Sequence, residues 1–430
     1  MPHQVALTIR APIKPGEVGA LKRLLTEMAD PASGRAIPFE RLETTHFARL
    51  FLLDEADGGP DGDAGPPIPA SLVYMSDVDA PVWRHLIALV RVGGARLDDV
   101  FAHCEGWPSA SPSIWARVAW LRARRIRADV VYVNTVGRSV AQVHGERRLR
   151  QAIEEFLDGK QDEWRSGDPV QIHAAVRQFV AGHPDLRWAL EPARGPGLAF
   201  RVRSALHKVG GPVLVLLVSP LLLVLLPVWA LLLRRHEHRD VPDDPIPPGR
   251  ERLRELADLE DHVVQNPFTA LGVAKPGRFR FLTMLVVLRA ANYGTRHIFN
   301  HGSLTRVKTI HFARWVAIDG RRRLIFASSY DGSLESYMDE FIDKVAWGLN
   351  GVFSNGAGYP RTRWLVFDGA NDERAFKAFL RNRQIPAHVW YSAYEDLSTL
   401  NIENNAVIRA GLAGAEAPTR GQAEAWLARL

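Results

Sequence analysis

An internal repeat constrains the fold of this 430-residue chain more than any other feature of its sequence. A strand-like stretch near the start ends in Lys14-Pro15-Gly16 and leads into a helical pattern, and the same order recurs at Lys275-Pro276-Gly277. The motif His46-Phe47-Ala48-Arg49 returns in the same way as His311-Phe312-Ala313-Arg314. Self-similarity of this kind is typical of a duplicated structural unit. We therefore expect both halves of the chain to fold alike.

The correspondence continues beyond a Gly/Asp/Pro-rich insertion in the first copy, at about 55–69, which we predict to be a loop. The blocks after this loop align without gaps. Their matched pairs include Ser76 with Ser328, Asp79 with Asp331, Pro108 with Pro360, and Tyr132 with Tyr391.

The second copy predicts a β-α-β-β-α-β unit with one extra helix. Asp319-Gly320 is a strong hairpin signal between two strand-like stretches, and Asn371-Asp372-Glu373 is a favourable helix start. The predicted strands are 268–274, 309–318, 323–330, 363–368 and 388–394, and the predicted helices are 277–300, 333–354 and 371–384. This order is the ferredoxin-like arrangement, so the predicted fold class is α+β, with two such units in tandem.

An apolar segment separates the two copies. Residues 209–233 contain no charged side chain, and as a helix they would be about 37 Å long. A hydrocarbon core is about 30 Å thick, so we predict that this segment enters a membrane. The alternative is a helix buried in a protein core, which the uniformly apolar sequence disfavours.

Two features favour a hairpin over a single crossing for this segment. Prolines interrupt it at Pro212, Pro220 and Pro227. The flanks are basic on both sides, which places both ends in the cytoplasm by the positive-inside rule. The spacing of the prolines resembles the proline knot of oleosin hairpins. A single span stays open, because a bend at membrane depth frees backbone groups that then need partners.

These boundaries divide the chain into six segments: 1–155, the first repeat; 156–208, a helical connector; 209–233, the membrane hairpin or transmembrane segment; 234–264, a linker; 265–415, the second repeat; and 416–430, a C-terminal tail. If the two repeats pack against each other, they must share one compartment. We therefore expect a membrane-associated protein with both globular parts cytoplasmic.

Two ferredoxin-like units in tandem resemble the dimeric α/β-barrel superfamily, which includes dye-decolourising peroxidases and chlorite dismutases. The resemblance implies a pseudo-dimeric barrel in which two sheets face each other. The stretch from Ser328 to Gly332 is similar to the G-x-x-D-G motif of the dye-decolourising peroxidases, with Ser328 in place of the first glycine. The resemblance implies that Asp331 acts on the distal side of a haem. The alternative is that Asp331 caps the following helix.

The HFAR motif supplies two further candidates for catalysis. On a regular strand His311 and Arg314 point to opposite faces, so one of them must be covered. Arg314 is a candidate for binding a carboxylate or haem propionate, and His311 for acid–base chemistry. The alternative is structural, with the arginine paired to an acid such as Asp331.

Polar residues specific to the second copy are the candidates for cofactor binding. They are Asn355, Tyr359, Arg361 and His388, of which His388 is the candidate haem ligand, with His297 and His301 as rivals. No metal site is predicted, because the group His236, His238 and Asp240 reads as a solvated face beside the membrane.

Composition limits the remaining function classes. One cysteine, Cys104, excludes internal disulfides and multi-cysteine metal sites. The net charge of +6 comes from dispersed arginines without a nucleic-acid reader motif, so no nucleic-acid partner is expected.

Two functions follow from the sequence. The first is a membrane-anchored oxidoreductase, haem-dependent and peroxidase-like, acting on peroxide or on a small-molecule or lipid-derived substrate. A cofactor-free oxygenase of the same fold is a variant of it. The alternative is a non-catalytic module that binds membrane lipid or a protein at the membrane surface. A homo-oligomer is compatible with either.

Overall fold

The fold is α+β, with antiparallel sheets and one long apolar helix. The computed structural model describes residues 4–53, 68–109, 113–160, 164, 167–193, 197–261, 263–299, 302–414 and 417–430. The predicted loop at 55–69 lies almost entirely outside these residues, as does His301. The strands are β1 (Gln4–Pro12), β2 (Thr45–Leu53), β3 (Ser71–Asp79), β4 (Arg125–Ile126), β5 (Val130–Val133), β6 (Gln265–Val273), β7 (Ile310–Ile318), β8 (Arg323–Asp331), β9 (Thr362–Arg363), β10 (Phe367–Asp368) and β11 (Val389–Ser392).

The helices cover the outer faces of the sheets and connect the two halves. They are α1 (Val18–Ala29), α2 (Val82–Phe101), α3 (Ile114–Ala123), α4 (Val140–Asp158), α5 (Pro169–Gly182), α6 (Leu198–Arg239), α7 (Arg250–Ala257), α8 (Arg278–His297), α9 (Leu334–Phe353), α10 (Glu373–Asn382), α11 (Thr399–Leu412) and α12 (Arg420–Leu427).

Two sheets dominate the molecule, and each takes a strand from the other half of the chain. The first has the order β11-β2-β3-β1-β4, and the second has the order β5-β7-β8-β6. After β4 has paired with β1, the chain moves across so that Val130 pairs with Trp315 of β7. In the second half Gln384 bridges to Ala270 of β6, and β11 then pairs with β2. Each half therefore completes the sheet of the other.

An apolar layer lies between the two sheets. Phe51 and Met75 of the first sheet cluster there with Val316 and Ile325 of the second, all buried. The opposite face of each sheet packs against its own helices. Alternation along the strands places successive side chains on these two faces, which explains why β2 and β3 are buried along their whole length.

Most predicted elements of the second copy are present within a few residues. The hairpin at Asp319 is confirmed, since Ile318 pairs with Arg323. Asp372 caps α10 by accepting a hydrogen bond from Ala375 N. The strand predicted at 363–368 is wrong. That stretch is a separate two-stranded ribbon of β9 and β10, because Trp364 and Leu365 have positive φ angles that turn the chain back.

The structure of the long helix α6 contradicts the hairpin predicted for the apolar segment. It is one continuous α-helix of 42 residues, Leu198–Arg239, with all three prolines inside it. The hairpin hypothesis and the likeness to an oleosin knot are therefore wrong. Each proline removes one backbone donor from the helix. A reversal would instead leave a whole turn of backbone groups unpaired in apolar surroundings.

Candidate functional site

A buried polar cluster lies between the two sheets at the ends of β2 and β7. His46 Nε2 donates to the carboxylate of Asp79 at 3.1 Å, because a carboxylate can only accept. In the neutral imidazole, Nδ1 then accepts from the Tyr394 hydroxyl at 2.9 Å. Burial raises the pKa of Tyr394 well above 10. The hydroxyl therefore keeps its proton and serves as a hydrogen-bond donor.

The second copy repeats this pair without the tyrosine. His311 Nε2 donates to Asp331 Oδ1 at 2.7 Å. The other carboxylate oxygen accepts the backbone N–H of Thr399 at 2.7 Å, at the start of α11. The sequence suggested Asp331 as a partner for Arg314, and this is wrong, because Asp331 pairs with His311 and Arg314 pairs with Asp77. The prediction that Asp331 caps the helix after it is also wrong. Ser333 caps that helix, whereas Asp331 binds the start of α11.

Sequence alternation was wrong about His311, whereas Arg314 shares the inter-sheet face with Val316 as alternation predicts. A bulge shifts the register of β7 between Ile310 and Phe312, and β2 carries an equivalent shift beside His46. A bulge adds a residue to one strand and re-aims its side chain. As a result His311 and Arg314 both face the space between the sheets. His311 lies there against Phe47 of the opposite sheet, with ring centroids 5.2 Å apart.

Two buried arginines cross between the sheets. Arg314 donates to Leu7 O at 2.7 Å and pairs with the buried carboxylate of Asp77. Arg49, its counterpart in β2, donates to Phe268 O at 2.9 Å and Ser328 O at 2.8 Å. Burial and the charge of Arg314 lower the pKa of Arg49 to about 9. These arginines are occupied in joining the halves.

The space beside the polar cluster is small. It has a volume of about 30 Å³ and is lined by His46, His311, Phe312, Tyr394 and Arg138, among others. Such a volume holds one or two waters, whereas organic ligands occupy pockets of about 300–1,000 Å³. The resemblance to haem enzymes implies a haem here, and these residues do not fit one. Asp331 is fully engaged, and no step through a haem follows.

Three of the predicted cofactor residues lie elsewhere, near the C-terminal end of α6. The Tyr359 hydroxyl donates to Asn350 at 2.8 Å inside an aromatic cluster, and burial raises its pKa well above 10. Asn355 donates to Gly351 O at 3.1 Å. Arg361 donates to the backbone oxygen of Asp240 at 3.1 Å. Their contacts shape the loop that receives α6.

The predicted haem ligand His388 directly precedes β11, whereas Tyr394 lies in the turn that follows this strand. Burial, with Lys22 nearby, lowers its pKa to about 4, so the imidazole is neutral. Its rival His297 lies at the end of α8 and stacks on His207 with ring centroids 4.9 Å apart. His311 and Asp331 are therefore not brought together with either of them.

The group His236, His238 and Asp240 does not form a metal site. Asp240 pairs with Lys275 at 2.7 Å and Arg280 at 2.5 Å, and the His236 ring stacks on a phenylalanine. Among the described residues, no group of three or more metal-binding side chains lies close enough together to hold an ion.

The middle of α6 is exposed on every side. Each leucine and valine at 213–228 has between 37% and 73% of its surface accessible. Soluble proteins rarely expose contiguous apolar patches beyond a few hundred Å². By length and composition α6 is the one described helix capable of crossing a membrane.

Both flanks of this apolar stretch dock on α8. Before it, the Tyr293 hydroxyl donates to His207 O at 2.9 Å. After it, Trp229 Nε1 donates to Thr283 Oγ1 at 3.3 Å. Glu237 then enters the loop around β9, where its carboxylate accepts the backbone N–H of Leu365 at 2.8 Å. The exposed stretch is thus held at both ends by the same globular body.

Sequence reasoning missed Tyr394 and Glu237. Tyr394 falls in a block where the two copies align, and its partner position in the first copy is Thr135, so a difference between the copies was the available signal. Glu237 is the only acid at 192–239, directly after the apolar segment and among basic residues. An isolated acid there indicates a specific partner.

In comparisons with protein-family models, with curated proteins and with solved structures, nothing matches this chain.

Proposed function

We propose that this protein is a non-catalytic module of the membrane surface, which binds lipid through α6. The observation that carries this proposal is the largely exposed apolar stretch at 213–228, held at both flanks by one globular body. Burying one such leucine or valine in an apolar phase is worth about 1.5–3 kcal/mol. A run of them is more than enough to hold a protein on a bilayer.

The docked flanks support an insertion that begins and ends on one side of the membrane. A crossing would separate the flanks by about 30 Å of hydrocarbon, and both contact the same helix, α8, near Tyr293 and Thr283. Arg289, exposed between these two positions, argues against placing α8 itself in the lipid. Both halves of the protein then share the cytoplasmic compartment, as the basic flanks predict.

We further infer that the two halves are copies of one ferredoxin-like unit that together form a closed pseudo-dimeric barrel. The support is the exchange of strands, in which β5 joins β7 and β11 joins β2. The buried arginines Arg49 and Arg314 add equivalent bonds in both directions. In this proposal the barrel holds α6 in a fixed position, and the buried polar side chains inside it fix the arrangement of the two halves.

A haem-dependent oxidoreductase stays a prediction from the sequence, and the geometry favours the non-catalytic module over it. An absorption spectrum of the detergent-purified protein, expressed with haem precursor supplied, decides between them. The proposal requires that no stoichiometric Soret band is seen. A stoichiometric Soret band that shifts in the His388→Ala variant would support the haem-dependent oxidoreductase and refute the non-catalytic module.

Flotation with lipid vesicles tests the proposal. The double variant L217N/L223N replaces two side chains that are 73% and 69% exposed, so we expect the globular halves to fold as in the wild type. Because each amide is costly to bury, we expect vesicle binding to fall by more than about tenfold. The matched control L259N/L400N changes two exposed leucines outside the stretch and keeps wild-type binding. Equal binding by both variants would refute lipid contact through α6.

Single-cysteine labelling tests the one-sided insertion. Cys104 is buried and burial raises the pKa of its thiol to about 12, so we expect this thiol not to react with maleimides. We expect Ala205→Cys and His238→Cys, on the two exposed flanks, to react with an impermeant maleimide from the same side of sealed membranes. Leu221→Cys, in the apolar stretch, should be protected. Labelling of the two flanks from opposite sides would establish a crossing.

A further inference from the structure

A basic cleft opens beside the N-terminal flank of α6. It has a volume of about 470 Å³, within the usual range for ligand sites. Six basic side chains line it: Arg125, Arg127, Arg203, His207, Arg296 and His297. Among the described residues that line the cleft, none is acidic. Like charges collected without carboxylates repel one another, and an anion between them relieves that repulsion.

The cleft arises where one strand changes sheets. Strand β4 pairs with β1 and ends at Ile126. The chain then crosses to the other sheet, where β5 pairs with β7 from Val130, so a gap remains between β1 and β5. Val5 and Val131 form part of an apolar floor in this gap, and α6 covers it with Phe200. A site built in this way offers cations at the rim and apolar surface beneath.

The like charges in the cleft act on each other. Burial and the neighbouring charge of Arg127 lower the pKa of Arg125. Burial and His207 lower the pKa of His297. These shifts have the sign expected when positive groups stand close together.

The equivalent gap in the other half is filled and neutralised. There α7 lies over Gln384, and Arg252 donates to its backbone oxygen at 2.9 Å. Glu255 pairs with Arg252 at 2.6 Å, and Glu260 pairs with Arg381 at 2.7 Å. Acids therefore stand beside one gap, whereas the described lining of the basic cleft contains none, which is a difference between two otherwise similar places.

The position of the basic cleft defines its ligand. His207 lies two residues before the apolar segment begins at Val209, so the cleft lies at the level where lipid headgroups meet the hydrocarbon. Guanidinium groups bind phosphate oxygens in pairs of parallel hydrogen bonds. We propose that this cleft binds the phosphate group of an anionic phospholipid, with the apolar floor receiving the glycerol and the first acyl carbons. This inference rests on the proposed membrane function.

Two charge-matched variants test the inference. R127Q/R203Q removes two cations from the cleft, and R235Q/R239Q removes two exposed cations from the other flank of α6. Flotation compares phosphatidylcholine vesicles with vesicles that also contain phosphatidic acid. We expect the wild type to prefer the anionic vesicles, and R127Q/R203Q to lose at least about tenfold of that preference. The control should retain most of it.

The outcomes separate the two proposals. Equal loss in both variants would assign the preference to general surface charge and overturn the cleft. A wild-type protein that binds neither kind of vesicle would instead overturn the membrane function itself. A soluble source is tested with inorganic phosphate and the detergent-solubilised protein, observed by phosphorus NMR. Tight phosphate binding that is lost in R127Q/R203Q, without a vesicle preference, would identify a soluble phosphate compound and overturn the lipid.

Discussion

Buried histidines show how single residues of this fold depend on pH. His85 of α2 lies within hydrogen-bond reach of Thr45 at 3.4 Å and Tyr74 at 3.3 Å. Burial lowers its pKa to about 4. The folded protein therefore holds a neutral imidazole that the unfolded chain would protonate in mild acid.

We predict that this group makes the protein less stable in acid. The folded-state pKa lies below the value of about 6.5 for an unfolded histidine, so the unfolded chain binds more protons between these values. Stability is fully present above about pH 6.5 and is lost as the pH falls towards 4, by about 3 kcal/mol in all. Chemical unfolding of wild type and His85→Gln across this range measures it. Identical pH slopes would contradict the assignment.

Arg314 provides a second prediction at the scale of one residue. Arg314→Leu leaves Asp77 as an unpaired buried charge, so we expect a loss of about 3–5 kcal/mol in the free energy of unfolding. The control Arg321→Leu breaks a half-exposed pair with Asp129 and should cost no more than about 1 kcal/mol. Urea denaturation measures both. Comparable losses of unfolding free energy in both variants would mean that the Arg314–Asp77 pair between the sheets does not stabilise the fold.

At the scale of elements, α6 has two distinct parts. Its middle carries apolar side chains that are largely exposed, whereas acidic side chains hold its C-terminal end to the neighbouring loop and helix. Glu237 accepts hydrogen bonds from Thr362, Trp364 and Leu365, and Asp240 binds Lys275 and Arg280. The apolar stretch therefore ends at a rigid joint.

We predict that Glu237→Ala loosens this joint. The substitution leaves two backbone N–H groups without their acceptor, each costing about 1–3 kcal/mol where buried. Hydrogen exchange of the amides at Trp364 and Leu365 should become at least about tenfold faster. Glu251→Ala, at an exposed site on α7, is the control and should leave these rates unchanged. Unchanged rates in both would mean that the loop holds itself.

At the scale of the whole molecule, the exchanged strands couple the two halves. A sheet that lacks β5 or β11 has an open edge and an incomplete core. Neither half can then lose its structure without uncovering the other.

We therefore predict a single unfolding transition for both globular halves. Leu50→Ala creates a cavity in the first half and should cost about 2–5 kcal/mol. Hydrogen-exchange mass spectrometry in increasing urea should show peptides from β8, in the second half, unfolding at the same lowered urea concentration as those from β2. Two separated transitions would contradict the coupling.

Local and repeated features were predictable from sequence. The Asp319 hairpin and the Asp372 cap follow from residues close in sequence, and the recurrence of His311 and Asp331 in both copies marked these two positions without predicting that they pair. The strand predicted at 363–368 failed because backbone contacts with Glu237, more than a hundred residues away, hold that stretch in a turn. His388 lies apart from His311 and Asp331, among neighbours from α1 and α7, which no pattern near it in the sequence indicates.

The sequence by itself determined the duplicated pattern, the α+β elements and an apolar segment long enough for a membrane, because each is written in local periodicity and hydropathy. Only the tertiary structure decided that α6 is continuous, that Arg314 joins the two sheets whereas His311 and Asp331 pair within one, and that Arg127 and Arg203 line one cleft. These depend on strand exchange and on helix docking. Both are set by contacts between residues far apart in the chain, which no local pattern records.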